Sequence, residues 1–255
     1  MPLISSKGVR QTPWSEGQNV RQLEPMGFIK FDILGLSTLR MIEDCITKIL
    51  RRHHNIDNPT FADIKQFYDN HIHPDQIDLN DQTVYENIFK NGQWIGIFQF
   101  TEEGAQKLAE RTQPKSIVDI SAITSIYRPG PLSAGVDKAY IKAVQDPDSV
   151  DYLNETVREV TEETYGFLIF QEQIARLAYE LGDGITMDEA NLLRKILTKK
   201  GTGKGHEVKD AIHEKFIRGC LQKDINKHAA QELWQTFEYF SGYGFNKSHA
   251  VSYSI

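Results

Sequence analysis

The chain has 255 residues, 40% of them apolar and 25% charged, enough to bury a real core as one large or two smaller domains. Its net charge of −6 excludes a uniformly basic nucleic-acid-binding domain but not a local basic groove, because electrostatic steering depends on where the charge sits. Two cysteines, Cys45 and Cys220, are too few for a disulfide framework and point to a reducing cytoplasm, and no apolar run approaches the roughly 20 residues that cross a bilayer.

Residues 1–25 hold Pro2, Gly8, Pro13, Gly17 and Pro25 among polar residues and read mainly as loop. Met1 to Gly8 lacks the apolar core of a signal peptide. Residues 28–34 read as a strand whose side chains alternate between two faces. Ile29, Phe31 and Ile33 make a core-facing set. Lys30 and Asp32 share the other face, about 7 Å apart at roughly 3.3–3.4 Å per residue. Such a carboxylate can hold a metal ion while the ammonium holds phosphate oxygens; a solvated outer face carries the same pattern.

Gly35 allows a turn, after which Leu39, Ile42, Ile46 and Ile49/Leu50 repeat at helical spacing, closed by Arg51, Arg52, His53 and His54. A second short helix is expected around Phe61, Ile64 and Phe67/Tyr68, a loop from His71 to Asp81, and a third helix from Val84 to Phe89. Trp94 to Phe100 reads as an apolar strand, and a helix carrying Leu108 follows Gly104. Beyond about residue 115 the pattern is mostly helical. A helix over 116–127 is stopped by Pro129-Gly130-Pro131, and Asp146-Pro147-Asp148 marks a surface turn. A helix over 169–181 ends at Gly182, and Thr186 with Glu189 is a capping box for the next, which runs to about Lys200. Gly201 to Gly205 is a loop, followed by helices over 206–218 and 229–240. The expected fold is mainly α with a small β portion, α+β in class, the strand-bearing piece lying at the N-terminal end. No repeat or low-complexity tract interrupts it.

Arg194, Lys195, Lys199, Lys200 and Lys204 place five cations within eleven residues of an acidic chain. They suit phosphate, or simply a solvated helix end. The glycine-rich loop fails the Walker pattern, which needs Gly at position 198 and Ser or Thr at 205. Tyr127-Arg128-Pro-Gly-Pro131 is either a plain helix stop or a segment presenting Arg128 to a ligand. Asn246-Lys247-Ser248-His249 begins a helix; its N–H groups and Lys247 suit a phosphate, and Ser248 as an N-cap is the competing account. His53, His54, His71 and His73 lack metal-ligand spacing and read as surface residues, whereas Trp14, Trp94 and Trp234 read as packed.

Six blocks stand in order: FIKFDILGL at 28–36, GIFQF at 96–100, YRPGPLSAG at 127–135, TYGFLIFQEQ at 164–173, LLRKILTKK at 192–200 and GYGFNKSHA at 242–250. Together they resemble the alpha subunit of bacterial DNA polymerase III, the family C replicative polymerases, from about Gly27 to the last residue. The resemblance implies a remnant of a nucleotidyltransferase-type palm over residues 1–40 and a helical fingers domain, truncated at its C-terminus, over residues 41–255.

The implied activity is that of a DNA-directed DNA polymerase, adding deoxynucleotides to a primer 3′-end by two-metal phosphoryl transfer. Asp32 takes the place of the third catalytic aspartate, a Mg²⁺ ligand, and Lys30 that of a lysine on the incoming triphosphate. Arg194 and Lys195 match an Arg-Arg pair of the fingers; lysine at 195 keeps the charge but loses bidentate phosphate geometry. Arg128, Lys199, Lys247 and His249 are further candidates for nucleotide or DNA contacts.

The family's other two aspartates lie in a Pro-Asp-x-Asp-x-Asp motif that has no counterpart upstream of Asp32. The Asp146–Asp151 stretch lies downstream in an expected turn and is rejected. The expectation is therefore a fragment, either an excised piece of a longer polymerase or one product of a split gene such as a phage could carry, inactive until a palm segment joins it. Its partners would be primer–template DNA, dNTPs and that segment, in the cytoplasm of a bacterium or an infected cell. A sliding clamp would bind only regions outside this chain, and no membrane is involved. Two other classes stay open: a non-catalytic DNA-binding or structural module derived from a polymerase, and an unrelated helical phosphate-binding protein.

Overall fold

Apolar residues at helical spacing decide most of the architecture. The computed structural model describes residues 4–6, 8–11, 27, 35–198, 206–240 and 244–255. The strand expected at 28–34 lies outside the described residues, as do Lys30, Asp32, Lys199 and Trp14. The chain divides into two units, Met1–Thr60 and Phe61–Ile255.

In the first unit β1 (Ile4–Ser6) pairs antiparallel with β2 (Val9–Gln11), Ser5 opposite Arg10. Gly8 turns the chain at φ +79°, a conformation that costs glycine little. A hairpin thus replaces part of the expected loop; three-residue strands are too short to display a period of two. Helix α1 (Ser37–His53) buries Ile46 and Leu50, one turn apart, and carries Arg51, Arg52 and His53 in its last turn, where cations complement the helix dipole.

The second unit is helical. Helix α2 (Phe61–His71) is followed by a helical turn at Gln82–Val84, capped by the Asp81 carboxylate on Thr83 N–H, which runs into a π-helical segment at Tyr85–Lys90. Then come α3 (Glu103–Thr112), α4 (Ile117–Ile126), a short helix at Pro129–Ser133, α5 (Val136–Gln145) and α6 (Glu155–Thr161). The described residues close with α7 (Gln171–Leu181), α8 (Met187–Thr198), α9 (His206–Gln222), α10 (Lys227–Phe240) and α11 (Lys247–Ser254).

Residues 94–100 are not a strand. Ile97 N–H donates to Trp94 O at 3.1 Å and Phe100 N–H to Ile97 O at 3.3 Å, two turns in tandem, with Gly96 at φ +82° and Gln99 at +65°. An extended chain would hold Trp94 and Phe100 about 20 Å apart. The turns instead stack their rings at 5.6 Å, with Phe89 edge-on to both. Aromatic burial overrides the strand-like pattern.

Pro129-Gly130-Pro131 ends α4 as expected but also opens a helix of its own. Arg128 is extended, with φ −145° and ψ 154°, and Pro129 takes the first turn, where a missing N–H costs nothing. Helix α4 is buried almost all round. It tolerates this because Ser121 and Ser125 return their hydroxyls to Ile117 O and Ser121 O at 2.7 and 2.6 Å. Helix α11 packs against it, with Ala250 fully covered and Ser254 Oγ 3.0 Å from Ser121 Oγ.

The expected capping box is present at α8: Glu189 N–H donates to Thr186 Oγ1 at 3.2 Å and Thr186 N–H to Glu189 Oε2 at 2.9 Å. At the end of α9, Asp224 adopts φ +60° and Ile225 N–H reaches Cys220 O at 3.0 Å, a Schellman closure.

Two apolar cores fill the second unit. One gathers Tyr85, Phe89, Phe100, Ile123, Tyr140 and Phe170; the other gathers Leu168, Leu177, Leu193, Phe216, Trp234 and Phe237. The segment Leu168–Phe170 gives Leu168 to the second and Ile169 and Phe170 to the first. Buried Gln173 pins it: Oε1 accepts from Ile169 N–H and Phe170 N–H, each at 2.9 Å. Its Nε2 donates to Thr164 Oγ1 and Val160 O, at 2.7 and 3.2 Å. The fold is mainly α, and strand among the described residues is confined to β1, β2 and a single parallel bridge between Phe170 and Phe245. No described helix is long and apolar enough to cross a membrane.

Candidate functional site

The Phe170–Phe245 bridge organises the second unit's candidate cations. Gln171 N–H donates to Phe245 O at 2.9 Å and Phe245 N–H to Ile169 O at 3.0 Å, so residues just before α7 and just before α11 lie side by side. Phe170 is fully buried, whereas Phe245 is only half-buried and offers a ring face. The Arg128 guanidinium sits 4.7 Å above the centre of that ring. Cation–π attraction holds it there, and partial burial lowers its pKa without threatening the charge of a group that does not deprotonate in proteins.

Arg194, half-buried on α8, reaches the same bridge through Gln171: its Nη1 donates to Gln171 Oε1 at 3.0 Å. Gln171 Nε2 in turn donates to Gly244 O at 2.8 Å. Lys195, one position on, is exposed and faces about 100° further round the helix.

Lys247 stands at the other end of the bridge. Its Nζ lies 5.6 Å from the centre of the Phe170 ring and pairs with both oxygens of Glu163 at 2.6 and 2.7 Å. The start of α11 is also engaged. Glu172 Oε2 accepts from Lys247 N–H at 2.9 Å, and Glu172 Oε1 accepts from Asn246 Nδ2 at 2.7 Å. The cap is Asn246 rather than Ser248: its Oδ1 accepts from His249 N–H at 2.9 Å and from Ser248 Oγ at 2.7 Å. The N–H groups expected to attract a phosphate are therefore met by a carboxylate and an amide of the protein. The His249 ring lies 5.5 Å from Phe245 and 4.5 Å from Tyr253, which in turn meets Phe98 at 5.3 Å.

Arg128, Arg194, Lys247 and His249, drawn from three sequence blocks, thus border one two-residue bridge. Lys30, Asp32 and Lys199 lie outside the described residues, and among those described no three or more His, Cys, Asp or Glu side chains group to hold a metal ion. Sequence reasoning does not single out Gln171, Glu163, Glu172 or Phe245 as site residues. Gln171, Glu172 and Phe245 do stand inside conspicuous blocks, TYGFLIFQEQ and GYGFNKSHA, but nothing local marks them as partners of distant cations. Chemically, two guanidiniums and an ammonium beside an aromatic face suit a polyanion that carries a planar ring.

Residues 38–224 match the family described as the bacterial DNA polymerase III alpha subunit finger domain. The chain is 33% identical over 232 residues to the DNA polymerase III subunit alpha of Aquifex aeolicus, covering 91% of this chain and 18% of that protein. The corresponding protein of Rickettsia bellii is 34% identical over 239 residues, 94% of this chain and 18% of that protein. That of Bacillus subtilis is 33% identical over 236 residues, 91% and 19%. The chain therefore spans about a fifth of the length of these relatives. On the family match and these identities, it belongs to the bacterial DNA polymerase III alpha subunit family and carries that family's finger domain.

Proposed function

We propose that the chain supplies the fingers of a DNA-directed DNA polymerase, which adds deoxynucleotides to a primer 3′-end once a palm segment from outside these 255 residues joins it. The observation that carries this reading is the convergence of Arg128, Arg194 and Lys247 on the Phe170–Phe245 bridge. Phosphoryl transfer depends on positioning and charge stabilisation more than on covalent chemistry, and fixed cations beside an aromatic face supply both. Arg194, Lys195 and Lys30 neutralise the incoming triphosphate; Arg128, Lys199, Lys247 and His249 contact nucleotide or DNA. Asp32 gives one hard oxygen ligand, which suits Mg²⁺ in a site shared with carboxylates of the palm segment. When bound, such metal ions stabilise charge on the attacking and leaving oxygens. The substrates are primer–template DNA and dNTPs, in the bacterial cytoplasm.

The test is to mix this chain with a polypeptide carrying a Pro-Asp-x-Asp-x-Asp palm segment and follow primer extension. Synthesis should require both pieces and vanish with Asp32→Asn while the circular dichroism spectrum stays unchanged. Synthesis by this chain alone, or undiminished synthesis with Asp32→Asn, refutes the reading.

A second reading, a non-catalytic DNA-binding or structural module, is favoured by one observation. Glu163 and Glu172 already engage the Lys247 ammonium and the start of α11, where a phosphate is expected from sequence. It predicts primer–template binding without extension in the same mixture. Family membership disposes of the unrelated phosphate-binding protein.

A further inference from the structure

We infer that Gln171 is a positioning residue for triphosphate recognition, an assignment that rests on the reading of Arg194 given above. Gln171 is the first residue of α7 and makes three hydrogen bonds towards the bridge. Its backbone N–H donates to Phe245 O at 2.9 Å, its Nε2 to Gly244 O at 2.8 Å, and its Oε1 accepts from Arg194 Nη1 at 3.0 Å. The amide can be oriented only one way, because a guanidinium has only hydrogens to give and a carbonyl only lone pairs. One side chain therefore ties the α8 cation to the segment that leads into Lys247.

The chemistry of the tether matters. An arginine that must be ordered by its ligand loses rotamer freedom at binding, whereas one held beforehand has already lost it on folding. A carboxylate would hold Arg194 as well but would cancel its charge, as Glu163 does for Lys247. A neutral amide restrains the guanidinium without placing a negative charge beside it.

The test uses the 255-residue chain and dATP in magnesium-free buffer, followed by isothermal titration. Wild type should bind, and Arg194→Ala should weaken binding about a hundredfold. Gln171→Met, of similar size but without this hydrogen bond, should weaken it roughly tenfold, the worth of one hydrogen bond to a charged group. Gln171→Asn keeps the amide but is one methylene too short to span both partners, and should lose a similar factor. It serves if the Met variant fails to fold.

A purely structural role is separated by the guanidinium nitrogen NMR signals of Arg194, identified by their loss in Arg194→Lys. They should be sharper and better resolved in wild type, where the Gln171 bond restrains rotation, than in both Gln171 variants, at an unchanged melting temperature. If Arg194→Ala weakens binding while both Gln171 variants bind like wild type, the Gln171 assignment is overturned and the reading of Arg194 survives. If wild type does not bind, or Arg194→Ala binds as tightly, both fall.

Discussion

Replacing Gly219 by alanine tests how the connection between α7 and α8 is held. A Cβ on Gly219, inside α9, would lie 2.2 Å from Leu181 O, 2.3 Å from Asp183 N and 2.5 Å from Gly182 C. All three are backbone atoms, so no side chain can swing aside. The helix would have to retreat by about 1 Å to restore ordinary contact. Alanine gains about 1 kcal/mol over glycine in helix propensity. Against this stand about 2 kcal/mol of overpacking and about 1 kcal/mol for the hydrogen bond from Asp183 N–H to Lys215 O, at 3.0 Å across the same crossing. The Arg218–Asp183 ion pair adds little because both side chains are more than a third exposed. The balance is about 2 kcal/mol of destabilisation, a fall in melting temperature of about 4–8 °C for a chain of this size. Thermal melts followed by circular dichroism at 222 nm measure it. A Gly219→Ala protein that melts at or above the wild-type temperature refutes so close a backbone crossing.

Gln173→Met should be costlier than its polar-to-apolar character suggests, because it strips the buried Ile169 and Phe170 N–H groups of their acceptor. A loss of about 3 kcal/mol is expected from urea unfolding, and less than 1 kcal/mol would contradict the network. Cysteine reactivity should split. Cys45 is exposed, while burial pushes the Cys220 thiol up to about 11, so at pH 8 a thiol reagent should label Cys45 at once and Cys220 only after unfolding. Equal rates at both would place Cys220 at the surface.

Stability should also depend on Glu189, whose pKa is held below the ordinary carboxylate value by hydrogen bonds from the Lys215 ammonium and Thr186 N–H. A lowered folded-state value means that this contribution is present above about pH 4.5 and is lost as the pH falls through the folded-state value. Glu189→Gln should flatten the melting profile in that window, and an unchanged acid slope would count against the pairing.

The parts of this fold that announce themselves in sequence are those set by near neighbours. The Thr186–Glu189 capping box is a four-residue motif, and the apolar spacing from Leu39 to Leu50 describes one helix face. Residues 94–100 mislead for the opposite reason. Their apolar character reports burial, and only the partner decides between a strand and a folded turn; here the partner is Phe89, which the sequence does not nominate. The site shows the same limit more sharply. Arg128, Arg194 and Lys247 stand out as cations in an acidic chain, but their partners lie far along it. Gln171 finds Gly244 over 73 residues, Glu172 finds Lys247 N–H over 75, and Glu163 finds the Lys247 ammonium over 84. No periodicity spans such distances, so a sequence can nominate the charges without showing which carboxylate will meet them.

Those partners divide the cations into two kinds. Lys247 is met by a carboxylate on its side chain and another on its backbone, so an incoming phosphate would have to displace Glu163 and compete with Glu172. Arg194 meets an amide oxygen at 3.0 Å and Arg128 a ring face at 4.7 Å, contacts that themselves carry no negative charge. Lys247 becomes available only after exchange with Glu163, which makes it better suited to a later or conditional contact. Glu163→Gln separates these roles: it should tighten triphosphate binding several-fold by freeing the ammonium, and its effect should survive in an Arg194→Ala background. If Glu163→Gln instead weakens binding, the ion pair serves to position Lys247 rather than to occupy it.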